Sequence, residues 1–202
     1  MDAEYWNKKY DTDELVYTDK VNMFVEEYCS PMTAGTAIDL AGGEGRNAVW
    51  LAQRGWQVED IDFSHFALAK FLKLAEARGV ADKVSTVESS ALNFDSNLAP
   101  VDLGLIGYLQ IPKADLSIAI KRLIANIKPG GTLLGVWHCR ENLVEGFGGP
   151  QDPAVLPNVE ELTEILAGEP VEIEVLKNRD GLVQTKDGYK PSIVVVLKAR
   201  KL

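Results

Sequence analysis

The sequence predicts an α/β fold: a mostly parallel sheet of seven strands, helices on both faces, and an antiparallel hairpin at the C-terminal end. Three observations carry that expectation. Short β-rich runs alternate with stretches of helical periodicity, the pattern of βαβ units. A glycine-rich turn, Ala41-Gly42-Gly43-Glu44-Gly45, joins a strand directly to a helix. After Gly168 the chain changes character, alternating like a half-exposed strand and carrying two Asp-Gly turn signals.

Residues 1–35 precede the first strand and hold Tyr5, Trp6, Tyr10, Tyr17, Phe24 and Tyr28. They are expected to form a helical flap on a core of residues 36–202. Residues 36–40 read as a buried strand, and 46–54 as a helix stopped by Gly55. Residues 56–61 are the second strand. Ser64 N-caps the next helix, whose apolar stripe is Leu68, Phe71, Leu72 and Ala75 and whose end is Gly79. Strands follow at 83–87 and 101–106. Leu116, Ile120, Leu123, Ile124 and Ile127 fall at helical spacing, and Pro129-Gly130-Gly131 stops that helix before a strand over 132–137. The Gly- and Pro-rich loop over 146–157 is long enough to be functional. Asn158 caps a helix, with Glu161 three residues on, that ends at Gly168. Residues 171–175 and 193–197 are strands, with turns expected at Asp180-Gly181 and Asp187-Gly188.

The 202 residues suit one domain, with 46% hydrophobic and 25% charged side chains. The longest apolar run is five residues, far below the ~20 that span a bilayer. No secretory leader is visible, so a cytoplasmic protein is expected. Cys29 and Cys139 show no metal spacing, and reduced thiols are expected. The net charge of −9 argues against nucleic acid and anionic membranes as partners, and favours a small, neutral or cationic ligand.

The turn after the first strand lets backbone N–H groups approach a ligand, because glycine has no Cβ in the way. Gly43-x-Gly45-x-x-Ala48 also fits the dinucleotide fingerprint G-x-G-x-x-G/A. Asp39 is an acid at an apolar strand end, costly unless it pairs with an ammonium group or accepts loop N–H groups. Asp62 ends the second strand, 17 residues after Gly45, where a carboxylate can accept from both ribose hydroxyls. Phe63 beside it is placed to lie against adenine.

These features together resemble the class I S-adenosylmethionine-dependent methyltransferases, whose fold is Rossmann-like. Residues 39–45 look like that family's first motif, which implies cofactor contacts from Asp39, Ala41, Gly43 and Gly45. Asp62 looks like the ribose-binding acid. The stretch Val87-Glu88-Ser89-Ser90-Ala91 resembles the third motif, implying adenine contacts from Ser90 and Ala91. Residues 102–108 resemble the fourth, where backbone near Ile106 meets the methionine part. The resemblance extends to the small bacterial tellurite-resistance-type (TehB-like) branch, through Glu44-Gly45-Arg46-Asn47-Ala48-Val49-Trp50-Leu51-Ala52, Gly148-Gly149-Pro150-Gln151-Asp152 and Tyr5-Trp6-Asn7-Lys8-Lys9-Tyr10. It implies S-adenosyl-L-methionine as cofactor, with no metal, and an N-terminal lid with Trp6 and Tyr17 against the substrate.

Four positions depart from the family pattern. Ala41 replaces a glycine, Asp60 a small neutral residue, Ser90 an acid or amide, and Gln110 a histidine. Candidate catalytic groups are His138, after the fifth strand, and Tyr108, after the fourth. Arg140 is a candidate for an anionic substrate. Arg46 starts a helix and points either at an anion or at solvent. The expected activity is in-line methyl transfer to a small-molecule acceptor (EC class 2.1.1), by a monomer or homodimer. A nicotinamide oxidoreductase and a non-catalytic nucleoside-binding protein are the alternatives.

Overall fold

A computed structural model describes residues 3–185 and 188–202. Its seven strands form a single sheet in the order β3-β2-β1-β4-β5-β7-β6. The central strands are β1 (Thr36–Leu40), β2 (Gln57–Asp62), β3 (Val84–Glu88), β4 (Val101–Gly107) and β5 (Ile127–His138), all mutually parallel. The hairpin strands β6 (Val171–Thr185) and β7 (Gly188–Lys201) complete it, with β7 antiparallel to both β5 and β6. The predicted fold class is therefore the observed one. The strand order reverses between β1 and β4, which opens a crevice at their carboxyl ends.

Two apolar clusters sandwich the sheet. On one face, α5 (Lys113–Asn126) and α7 (Val159–Leu166) pack Leu116, Ile120, Leu123, Leu162 and Ile165 against Ile38, Leu40 and Ile106. On the other, α2 (Met23–Cys29), α3 (Arg46–Gln53) and α4 (His65–Ala77) pack Phe24, Leu51 and Phe71 against Ala37, Val58 and Leu105. The remaining helices are α1 (Ala3–Tyr10) and the short α6 (Asn142–Glu145). The N-terminal residues thus supply two helices.

Caps fall where side chains can satisfy the free N–H groups. Ser64 Oγ accepts from Ala67 N at 3.3 Å, and Asn158 Oδ1 from Glu161 N at 2.9 Å.

Four sequence expectations need correction. Leu72 is exposed, and Ala67 takes its place in the buried stripe of α4. Helix α5 stops at Asn126, before Pro129, because the register slip between β4 and β5 lets residues 128–131 bulge within β5. Helix α7 stops at Leu166, two residues before Gly168. Asp180-Gly181 is not a turn: both residues lie in β6, opposite Ile193 and Ser192, so β6 and β7 are far longer than their apolar segments. Of the second turn signal, Asp187 lies outside the described residues.

Candidate active site

The turn after β1 carries the sharpest backbone geometry. Ala41, Gly43 and Gly45 have φ of 57°, 64° and 77°. Ala41 keeps the left-handed conformation that a glycine would take freely, at a cost of about 1–2 kcal/mol for an L-residue. Its N–H donates to Ile61 O at 2.7 Å and fixes the turn to β2. A Cβ on Gly45 would come within 2.0 Å of the Phe71 ring, so the backbone needs that glycine for helix packing as well as for φ.

Three acids cluster under this turn. Asp39 and Asp60 are register partners in β1 and β2, both fully buried. Among the described residues, neither carboxylate has a well-formed hydrogen bond on either oxygen, and only the Ala48 N–H near Asp39 and the Gly42 N–H near Asp60 offset their burial as donors. Burial pushes Asp39 up to about 7, against the pull of the nearby Arg46 cation. Burial also raises Asp60 well above the carboxylate range, and the charges of Asp39 and Asp62 raise it further. Asp62 is better served: its oxygens accept from Gly43 N at 3.1 Å and Ser64 N at 2.8 Å. Burial still raises it to about 6.

The N-terminal segment closes over the turn. The Tyr10 hydroxyl lies 2.9 Å from where a Gly43 Cβ would stand. Burial raises its pKa, and the Asp62 charge adds to that. Trp6 stacks on Tyr10 with centroids 5.6 Å apart, and Tyr17 meets Tyr10 edge-on at 6.4 Å. Lys9 Nζ sits 4.5 Å from the Trp6 centroid and donates to the Tyr17 hydroxyl at 2.6 Å. Glu44, in the turn itself, accepts Val16 N at 2.9 Å and Tyr17 N at 3.0 Å, and Lys70 neutralises it at 3.1 Å. Ser64 Oγ donates to Asn7 Oδ1 at 2.7 Å.

Tyr108 and His138 stand together at the carboxyl ends of β4 and β5, ring centroids 4.8 Å apart. Tyr108 is held at φ 63°, the second left-handed non-glycine position among the described residues. Asn22 Nδ2 donates to its hydroxyl at 3.1 Å, and the Asn22 backbone N–H donates to Asn47 Oδ1 at 3.0 Å. Burial lowers His138 to about 4, with a further push from the Arg46 charge, and its Nδ1 has no partner among the described residues. The imidazole is therefore neutral at neutral pH.

The remaining predicted residues divide. Ile106 is buried at the end of β4, paired with Leu40 and Gly135. Phe63 is half-buried next to Asp62, while Ser90 and the buried Ala91 follow β3, where Ser90 Oγ accepts Leu92 N at 3.2 Å. Arg140 pairs with Glu161 of α7 at 2.9 Å. Gln110 is a backbone staple: its side chain accepts His138 N at 2.8 Å and donates to Val155 O at 2.6 Å, tying β5 to the 146–157 loop. Sequence reasoning did not assign roles to Tyr10, Glu44, Asn22 and Asn47. Tyr10, Glu44 and Asn47 carried a signal, through their place in the TehB-like stretches 5–10 and 44–52.

The sheet order, the left-handed turn after β1 and the acid closing β2 accord with the fold that the resemblance to the class I S-adenosylmethionine-dependent methyltransferases implies. Residues 37–131 match the family model described as a methyltransferase domain. The tRNA 5-carboxymethoxyuridine methyltransferase of Escherichia coli K12 is 35% identical over 97 residues, 48% of this chain. The chain spans only 37% of the length of that relative. Among solved structures, TehB from Haemophilus influenzae superposes with a TM-score of 0.72 and 19% identity, covering 99% of this chain and 67% of that one. The N-methyltransferase NodS from Bradyrhizobium japonicum, in complex with S-adenosyl-L-homocysteine, gives 0.70 at 13% identity, covering 98% and 97%. Both likenesses are of fold. The TehB-like branch suggested by the sequence is among these neighbours.

Proposed function

We propose that the protein is an S-adenosylmethionine-dependent methyltransferase acting on a small-molecule acceptor. The observation that carries the reading is Asp39, fully buried at the end of β1, with no side-chain donor on either oxygen among the described residues and only the Ala48 N–H nearby. An acid in that state fits an ammonium group, and the methionine part of the cofactor has one.

The cofactor supplies a methyl group already activated on a sulfonium sulfur. The chain's part is to bind, align and exclude water. Asp39 receives the amino group. Asp62 takes the ribose hydroxyls, and already accepts two backbone N–H groups that fix its orientation. The backbone of the turn from Ala41 to Gly45 lies along the nucleoside. Phe63, Ser90 and Ala91 frame the adenine, and the Ile106 backbone borders the methionine part. Trp6 and Tyr17 cover the cleft with Tyr10, keeping water from the displacement. Tyr108 and His138 face the acceptor. His138, neutral at neutral pH, has a free ring nitrogen that can take a proton from an amine or hydroxyl acceptor. A soft nucleophile needs no such base. Arg140 stays a candidate only if it leaves Glu161.

The acidic chain and the absence, among the described residues, of a helix long and apolar enough to cross a membrane both accord with a small acceptor met in the cytoplasm. The name of the curated relatives supplies the rival acceptor, a tRNA. Calorimetry with S-adenosyl-L-homocysteine, S-adenosyl-L-methionine and NAD tests the cofactor. Binding of the first two is expected, and binding of NAD alone overturns the reading. Methylation assays on a small-molecule panel beside bulk tRNA then test the acceptor. Incorporation into tRNA alone overturns that half.

A further inference from the structure

The cleft holds a cation with no counter-charge in contact. Arg46 opens α3 and turns inward: its Cζ lies 5.6 Å from the Tyr108 ring centroid. Its charge reaches Asp39, Tyr108 and His138. Yet its guanidinium makes no hydrogen bond or ion pair among the described residues. Of the six other arginines, Arg78, Arg122, Arg140, Arg179 and Arg200 each pair with a carboxylate, and Arg54 lies 3.7 Å over the Trp50 ring. Asp39 does not take that role, because neither of its oxygens has a side-chain donor among the described residues. An arginine is a planar fork of donors that matches a carboxylate bidentately, and in a partly desolvated cleft it costs free energy until something occupies it.

The sheet order shows which carboxylate. Across the carboxyl edge run Asp62 on β2, Asp39 on β1, Tyr108 after β4 and His138 on β5. Arg46 reaches the Tyr108 and His138 end, on the far side of Asp39 from Asp62. We infer that Arg46 receives a carboxylate or similar oxyanion of the methyl acceptor, with Tyr108 and His138 as the walls of that subsite. The inference rests on the methyltransferase reading for the word acceptor. It also replaces the neutral or cationic ligand expected from net charge. A single cation at contact distance outweighs a field that salt screens within about 10 Å. His138 contributes a neutral ring beside the anion.

The test is calorimetry on the full chain saturated with S-adenosyl-L-homocysteine. The probes are acetate, benzoate and indole-3-acetate, each against its primary amide. At least one acid is expected to bind tenfold or more tighter than its amide. Arg46→Met should erase that preference while changing S-adenosyl-L-homocysteine affinity less than twofold, and Arg46→Lys should keep part of it. Thermal unfolding of both variants reports on folding. Equal binding of every acid and amide overturns the inference. So does a tenfold loss of S-adenosyl-L-homocysteine affinity in Arg46→Met, which would assign the arginine to the carboxylate of the cofactor instead. If the wild type does not bind S-adenosyl-L-homocysteine, the methyltransferase reading fails. The acid and amide titrations on the protein alone then still decide whether Arg46 receives a carboxylate.

Discussion

Asp39 and Asp60 face each other across β1 and β2, and neither has a side-chain hydrogen-bond partner among the described residues. Two buried acids side by side cannot both be ionised cheaply. In the unfolded chain each titrates near 3.9. Folded, Asp39 sits at about 7 and Asp60 well above the carboxylate range. The native state therefore binds more protons than the unfolded chain above about pH 4, and stability falls as pH rises through that window. Asp60→Asn removes one acid at nearly constant volume. Its gain over the wild type should be small near pH 4 and exceed ~1 kcal/mol by pH 8, read by denaturant unfolding at both values. A constant difference across pH would mean that Asp60 does not carry the proton.

Asp62→Ala should weaken S-adenosyl-L-homocysteine binding at least tenfold in calorimetry. Asp62→Asn separates the causes, since it keeps a side-chain acceptor for Gly43 N or Ser64 N but loses the charge. It should lose affinity with a smaller fall in melting temperature than the alanine variant.

Glu44 is the clasp of the N-terminal segment. Glu44→Ala leaves Val16 N, Tyr17 N and Lys70 without their carboxylate, at a cost of roughly 1–3 kcal/mol for groups partly out of water. Hydrogen exchange should speed up at the Val16 and Tyr17 amides, while those of β1 and β4 stay protected. Because Tyr10 rests against Gly43, the same variant should bind S-adenosyl-L-homocysteine with a faster on-rate in stopped flow.

Ala41→Gly should stabilise the protein. Relief of a left-handed alanine is worth about 1–2 kcal/mol, and the extra freedom of glycine in the unfolded chain returns about 0.4–1. A net gain near 0.5–1 kcal/mol in urea unfolding is expected. A loss would show that the turn does not carry that strain.

The parallel core was legible because its signals are local. Residues 36–40, the Ser64 and Asn158 caps and the glycine turn each fix backbone over a few positions, and the structure places them as read. The hairpin was less so. Its outer residues, from Lys177 to Asp180 and again at Tyr189 and Lys190, are exposed or half-buried and mostly polar, and they owe their strand state to pairing with each other. Nothing in either run alone announces the partner. The site shows the same division. Asp39 and Asp62 stand out because an acid at an apolar strand end is costly. Tyr10, Asn22 and Glu44 act through contacts across 25 to 86 residues of sequence, which only the fold creates. Arg46 was visible as a residue, but its direction depends on where Tyr108 lies.

Strand β7 follows β6 in the chain but lies between it and β5. The outermost strand is thus made before the strand that attaches it. Until β7 seats, β5 presents an open edge of unpaired N–H and C=O groups, the kind of surface that captures strands of other molecules. Seating also brings Lys201 Nζ to the carbonyls of Ile124 and Ile127 at the end of α5, where a cation meets the negative end of the helix. A chain interrupted between β6 and β7 would lose an interior rib of the sheet rather than its fringe. Its foreseeable fate is aggregation, not a trimmed but working enzyme.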